Sequence, residues 1–205
     1  MNENPRHLLS ALLGLALLFS ATSLLAQEDG RTWRFSVKSG VLKPITLRDP
    51  VVPAKNRSYW YLTLEVSNDT GKSRRLALSA RAETPDVKQK PLARPGLLPS
   101  VTKAIAKKEG LPKLENLLAA SGRLPQGETR HFVVVFQDLS RLANHIDVRI
   151  AGFANTLYKA GKTVWREDTE LSLRFHRIGD EFEVTRHEVR RRRPRWVTVR
   201  RSKIR

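Results

Sequence analysis

The chain contains no cysteine. That excludes disulfides, thiolate chemistry and a lipid attached through an N-terminal cysteine. An exported domain of this kind depends on its hydrophobic core, which suits a bacterial envelope better than a small animal secreted module. No Gly-rich phosphate loop and no G-x-S-x-G nucleophile elbow occurs. The histidines are His7, His131, His145, His176 and His187, and none shows a short ligand spacing such as H-x-x-x-H. Beyond the N-terminus no apolar run is long enough to span a membrane. There is no βαβ spacing and no internal repeat. No catalytic residue, metal site or cofactor is expected, and the chain is read as a non-enzyme.

What is present begins with an address. Leu8 to Ala26 is apolar apart from small residues and hydroxyls, and it follows Arg6 and His7. This pattern predicts a secretory signal peptide cut after Ala26, with a cut after Ser23 as the alternative. The run is also close to the ~20 residues of a spanning helix, so an uncleaved anchor is the competing reading. The expected location is periplasmic or extracellular. The 205 residues suit one domain with a core of its own. The expected organisation is a signal peptide (1–26), a β-sandwich domain (27–189) with a loop and helical insertion (84–124), and an arginine-rich C-terminal strand or tail (190–205).

The strands are read from alternation. Trp60, Leu62, Leu64 and Val66 alternate with Tyr59, Tyr61, Thr63 and Glu65, which sorts them onto opposite faces of one strand. Asn68-Asp69-Thr70-Gly71 supplies a turn. Leu76, Leu78, Ala80 and Ala82 then alternate with Ala77, Ser79 and Arg81, so the two runs predict a β-hairpin with one buried face. Trp60 is assigned to the core. Tyr59 and Tyr61 lie on the other face, where a second packing layer competes with sugar or peptide binding. Trp33, Phe35 and Val37 predict a first strand, and Val41 to Leu47 a short one that Pro44 confines to an edge. His131 to Phe136 is a continuous apolar run and predicts a strand buried on both faces. Ile146, Val148 and Ile150 alternate, as do Leu171, Leu173 and Phe175. A two-residue loop at Gly179-Asp180 would pair Phe175 with Val184 and His176 with Glu183. The last strand is expected at Arg195 to Val199.

Prolines 85, 91, 95 and 99 predict a surface excursion. A helix from Val101 to Glu109 follows, capped by Ser100 and stopped by Gly110, and a second helical piece spans Lys113 to Ala120. The inserted stretch is too short for its own core and is expected to be dispensable. Together these elements predict a mainly β fold, an antiparallel immunoglobulin-like β-sandwich with a short helical insertion.

Several constellations have an ordinary structural reading. His176 and His187 near Glu183 read as a solvated strand face. Asp138, Ser140 and His145 are neighbours in sequence, but a triad is made in space. Glu167, Asp168 and Glu170 read as a charged loop before a strand rather than a cation site. Asn56-Arg57-Ser58 and Asn68-Asp69-Thr70 match the glycosylation pattern, which matters only in a eukaryotic secretory pathway.

Charge is the strongest remaining signal. The net charge is +18, and about half of it lies in the last twenty residues. Arg190, Arg191, Arg192, Arg193, Arg195, Arg200 and Arg201 surround Trp196, an arrangement that permits stacking and cation–π contacts. Such a run attracts polyanions such as lipopolysaccharide, anionic polymers, anionic membrane surfaces or nucleic acid. Specific nucleic-acid recognition is not expected, because no named motif is present and export argues against it.

The stretch Tyr59 to Gly71 resembles one found in exported bacterial β-sandwich proteins, a family of unknown function. Those proteins carry an aromatic triplet, an alternating strand and an Asn-x-Thr-Gly turn. Ala104 to Gly110, Leu124 to Arg130 and Ile178 to Phe182 extend the resemblance over most of residues 58–182. It implies an exported β-sandwich and carries no activity or catalytic residue. The reading is therefore an exported, non-catalytic β-sandwich that binds or scaffolds an unknown envelope component. The alternative is a polyanion-binding protein acting through its C-terminal arginines. An enzyme with an unrecognised site comes last.

Overall fold

The computed structural model describes residues 32–49, 55–88, 92–140, 142–178 and 189–203. The signal peptide expected at 1–26 lies outside them, as do Gly179-Asp180 and the return strand with Phe182 and Val184. The described elements follow in chain order. Strands β1 (Trp33–Arg34), β2 (Ser36–Ser39), β3 (Lys43–Arg48) and β4 (Asn56–Ser67) come first, then β5 (Arg74–Arg75), β6 (Ser79–Glu83) and β7 (Leu92–Ala93). Helix α1 (Pro99–Glu109) precedes β8 (Leu114–Asn116), β9 (Arg123–Leu124), β10 (Thr129–Phe136) and β11 (His145–Ala151). The chain continues through β12 (Ala154–Ala160), β13 (Thr163–Arg177), β14 (Val189–Arg191) and β15 (Arg195–Lys203). Among the described residues the fold is mainly β, with no closed barrel and with sheets that are antiparallel apart from the pairing of β8 with β10.

The period of two in β4 organises the smaller sheet. β4 pairs antiparallel with β10 along its whole inner half, Phe132 opposite Leu64 and Phe136 opposite Trp60. On its other edge lie β2 and β3. Trp60, Leu62, Leu64 and Val66 join Phe132, Val134 and Phe136 in the main core. The larger sheet supplies the other side of that core through Ala82, Ile146, Val148, Ile150, Leu171, Leu173 and Phe175. Burying such side chains stabilises by roughly 1.5–3 kcal/mol each. Pro44 sits on β3, which pairs with β4 alone, so the missing N–H falls on an edge as expected.

The other face of the smaller sheet is covered too. Ile45, Tyr59, Tyr61, Val133 and Val135 pack with Val101 and Ile105 of α1 and with Leu114. This second cluster explains the uninterrupted apolar run in β10: both parities are buried. It also settles Tyr59 and Tyr61 as packing residues, with 3 % and 0 % of their surface exposed.

Four expectations change. The runs on either side of Asn68-Gly71 do not form a hairpin. Both edges of β4 are occupied by β10 and by β2 with β3, so the chain crosses to the larger sheet, where β6 pairs with β11. The apolar faces of the two runs then meet from opposite sides of one core. The second helical piece is instead β8, added parallel to the free edge of β10, followed by a single 3₁₀ turn at Leu117–Ala119. Ser100 is not the cap of α1: Leu98 holds that position without a side-chain bond, and Pro99 opens the first turn. Gly110 does close the helix, in the left-handed conformation with φ 67°. Finally, β13 pairs with β14 so that Phe175 faces Arg191 and His176 faces Arg190. The positions opposite Phe175 and His176, expected for Val184 and Glu183, are held by Arg191 and Arg190.

The inserted stretch is not peripheral. Val87, Ala93, Leu117 and Leu124 belong to the main core, and Val101 and Ile105 to the second cluster.

Candidate functional site

Most of the arginine run lies in two strands on one edge of the larger sheet, with Arg192 and Arg193 on the link between them. β13 carries β11 and β12 along one side and β14 and β15 along the other. The strand expected at Arg195–Val199 extends to Lys203, with a register shift opposite Asp168 and Thr169. Apolar residues set this placement. Trp196 stands opposite Leu171 and packs with Val189 against the main core.

The candidate residues divide by what they touch. Arg191 is structural: its guanidinium donates to the carbonyl oxygen of Ser39 and, at 2.8 Å, to the Ser39 hydroxyl, tying β14 to the end of β2. Arg201 donates from Nε to Glu167 at 2.7 Å. Arg190 lies opposite His176. Trp196 lies under the guanidinium of Arg34, 4.5 Å from its ring centroid. Arg192 donates its backbone N–H to Arg174. The side chains of Arg192, Arg193, Arg195, Arg200 and Lys203 are exposed and meet no acid among the described residues. They are the part of the run left for a ligand.

Further along the outer face of the same sheet, arginines and carboxylates pair with one another. Arg81 makes a two-pronged bond to Glu170, at 2.6 and 2.9 Å, and a third to Glu83 at 2.9 Å. Arg149 lies 3.3 Å from both Glu83 and Asp147, and Asp147 accepts from the Ser172 hydroxyl at 2.7 Å. Arg174 completes the row at 3.6 Å from Asp147. These carboxylates therefore stand as structural partners. Glu167, Asp168 and Glu170 lie on β13 rather than in a loop, and each has its own arginine, Arg201, Arg166 and Arg81 in turn.

The remaining candidates resolve into local structure. Tyr61 donates to Glu109 at 2.5 Å, and Lys43 binds the same carboxylate at 2.9 Å. Burial and that hydrogen bond push the Tyr61 phenol well above its ordinary value. Burial pushes Glu109 upward, but the bonds from Tyr61 and Lys43 outweigh it and hold the carboxyl below its ordinary value. The pair fastens the end of α1 to the smaller sheet. His145 stacks on His176 at 4.7 Å and lies 3.6 Å from Asp86. Burial raises Asp86, and the backbone N–H groups of His145 and Asn144 reverse the shift, leaving it lowered. Ser140 accepts from the N–H of Leu142, so it and His145 have separate local partners. No group of three or more His, Asp or Glu able to hold a metal occurs among the described residues. Asn68 is fully buried, its amide donating to the carbonyls of Lys72 and Leu124, so it is a turn anchor rather than an exposed glycan acceptor.

Sequence reasoning found the arginines and Trp196 but not Arg34 or Glu167 as their partners. Those contacts join strands far apart in the chain, and no local signal marks them. No family model matches the chain, and no curated protein or solved structure shows significant similarity to it.

Proposed function

We propose that the protein is an exported, non-catalytic β-sandwich of immunoglobulin-like type that binds an anionic polymer of the cell envelope through β14 and β15. The observation that carries this reading is the division of the arginine run. Arg191 and Arg201 fasten the edge, while Arg192 and Arg193 on the link and Arg195, Arg200 and Lys203 on β15 have no acid partner among the described residues. Arg195, Arg200 and Lys203 are carried by a strand paired to β13, so less backbone entropy is lost on binding than from an unpaired tail.

The test is charge reversal of the unpaired set, Arg192, Arg193, Arg195 and Arg200 to Glu, with Arg191, Trp196 and Arg201 retained. The intact protein should bind heparin and duplex DNA with an affinity that falls steeply with salt, by about 0.9 log units per phosphate per log unit of salt on the duplex. The reversed variant should lose most of that slope while melting at a similar temperature. Equal slopes for the two proteins would sink the reading.

A further inference from the structure

Beyond the main core the larger sheet continues as a ribbon of β12, the first half of β13, and β15. Register assigns its two faces. Opposite residues share a face, so Tyr158, Trp165 and Lys203 form one row, Thr156, Glu167 and Arg201 the next, and Thr169 with Thr198 a third. The face then meets Leu171 and Trp196 at the margin of the core. It is thus the core-facing side of the sheet, carried past the point where apolar residues stop.

Its chemistry is specific. The rings of Tyr158 and Trp165 run nearly parallel, 14° apart with centroids at 6.5 Å, and Tyr158 is 37 % exposed. Arg201 reaches over Tyr158 at 5.9 Å while its Nε holds Glu167. Glu167 also accepts from the Thr198 hydroxyl at 3.4 Å, and the Thr156 and Thr169 hydroxyls lie 3.4 Å apart beside it. Arg34 and Trp196 close the far end with their cation–π contact. From Trp165 to Leu171 the strip is about 20 Å long at the usual rise per strand residue.

We propose that this strip binds an acidic polysaccharide. The inference rests on the reading above, that the C-terminal edge binds polyanions, and names the polymer class. Aromatic rings offer flat faces to the C–H side of a sugar ring, where dispersion and the ring quadrupole favour contact. Arg34, Arg201 and Lys203 outnumber Glu167 and give the strip a positive balance that suits acid groups on the sugars. Glu167 and the threonine hydroxyls between the cations decide against a nucleic acid. A carboxylate in mid-strip repels a phosphate placed on every unit, but accepts from the free hydroxyls that lie between the acid groups of a glycan. The succession of ring, hydroxyl and cation along the ribbon therefore suits a polymer that carries both hydroxyls and acids.

The experiment compares four probes on the intact protein: heparin, polygalacturonate, inorganic polyphosphate and a single-stranded oligonucleotide. The variants are Tyr158→Ala, Tyr158→Ala with Trp165→Ala, and the ring-preserving Tyr158→Phe. Each is first checked by thermal unfolding, and the single variant carries the test where the double variant does not fold. The proposal expects about a tenfold loss for both polysaccharides, with polyphosphate binding unchanged and Tyr158→Phe close to the parent. If ring removal leaves polysaccharide binding intact while the arginine reversal abolishes it, the polysaccharide inference is overturned and the polyanion reading stands. A tighter, ring-dependent oligonucleotide complex overturns it in favour of single-stranded nucleic acid. If the intact protein binds none of the four probes, both readings fall together.

Discussion

Two long strands, β4 and β13, show how one period of two produces opposite surfaces. β4 has twelve residues and is apolar on both faces over Tyr59 to Leu62, because the larger sheet covers one side and α1 the other. β13 has fifteen residues, but apolar alternation begins only at Leu171. Its first half carries Glu167, Asp168 and Glu170 and is stabilised sideways, by Arg201 of β15, Arg166 of the same strand and Arg81 of β6 in turn. A strand thus finds its partners either through its faces or along its edges. Face burial yields stability, whereas lateral pairing keeps charge at the surface, where a ligand can reach it.

The sharpest way to break this comparison is to uncover β4. Replacing residues 86–122 with a short linker removes Val101, Ile105, Leu114 and Leu117 and exposes the Tyr61 face. Cooperative thermal unfolding should be lost, and a normal melt would show that the outer layer is dispensable after all. Next in size is Leu64→Ala, expected to cost about 2–5 kcal/mol in denaturant titration because the site is closed on all sides. Asn68→Ala should cost about 1–3 kcal/mol, since the carbonyls of Lys72 and Leu124 lose their donor in a buried turn.

The clamp between α1 and β4 supplies a pH test. Glu109 has a lowered carboxyl, so the unfolded chain takes up its proton first as pH falls. Its stabilisation should be present above the ordinary glutamate value of 4.5 and fade as pH drops through the folded value. Tyr61 has the opposite sign. Its raised phenol keeps its proton in the fold, so stability should hold below the ordinary tyrosine value of about 10 and decline above it. Glu109→Gln should flatten the acid limb and Tyr61→Phe the alkaline limb of a stability–pH curve. Limbs unchanged by both substitutions would count against the clamp. The smallest effect belongs to the ribbon. Val164→Ala and Arg200→Ala should each stay within about 0.5 kcal/mol, because both side chains are exposed. A larger loss at either would mean that the ribbon is held by more than lateral pairing.

Much of the core was legible in the chain. Trp60 and Leu64 are buried, Thr63 and Glu65 lie on the opposite parity, and the run in β10 is buried on both faces. The stop of α1 at Gly110 was legible too, because a left-handed cap favours glycine. Lys113 to Ala120 was misread as helix because its leucine spacing fits either structure. The free edge of β10 drew Leu114–Asn116 into a strand. The basic candidate site was legible as composition, but its division into fastening and unpaired arginines was not.

The sequence by itself determined which side of each strand is buried, because alternate side chains must point to opposite faces and water sorts them by polarity. Only the tertiary structure decided which strands are neighbours. The backbone groups along a strand edge are alike at every residue, so an edge accepts any partner that brings its apolar face to the core. That freedom is why the run after Gly71 pairs with β11 in the opposite sheet. It is also why Arg195, Arg200 and Arg201 lie along β13 rather than trailing from the fold.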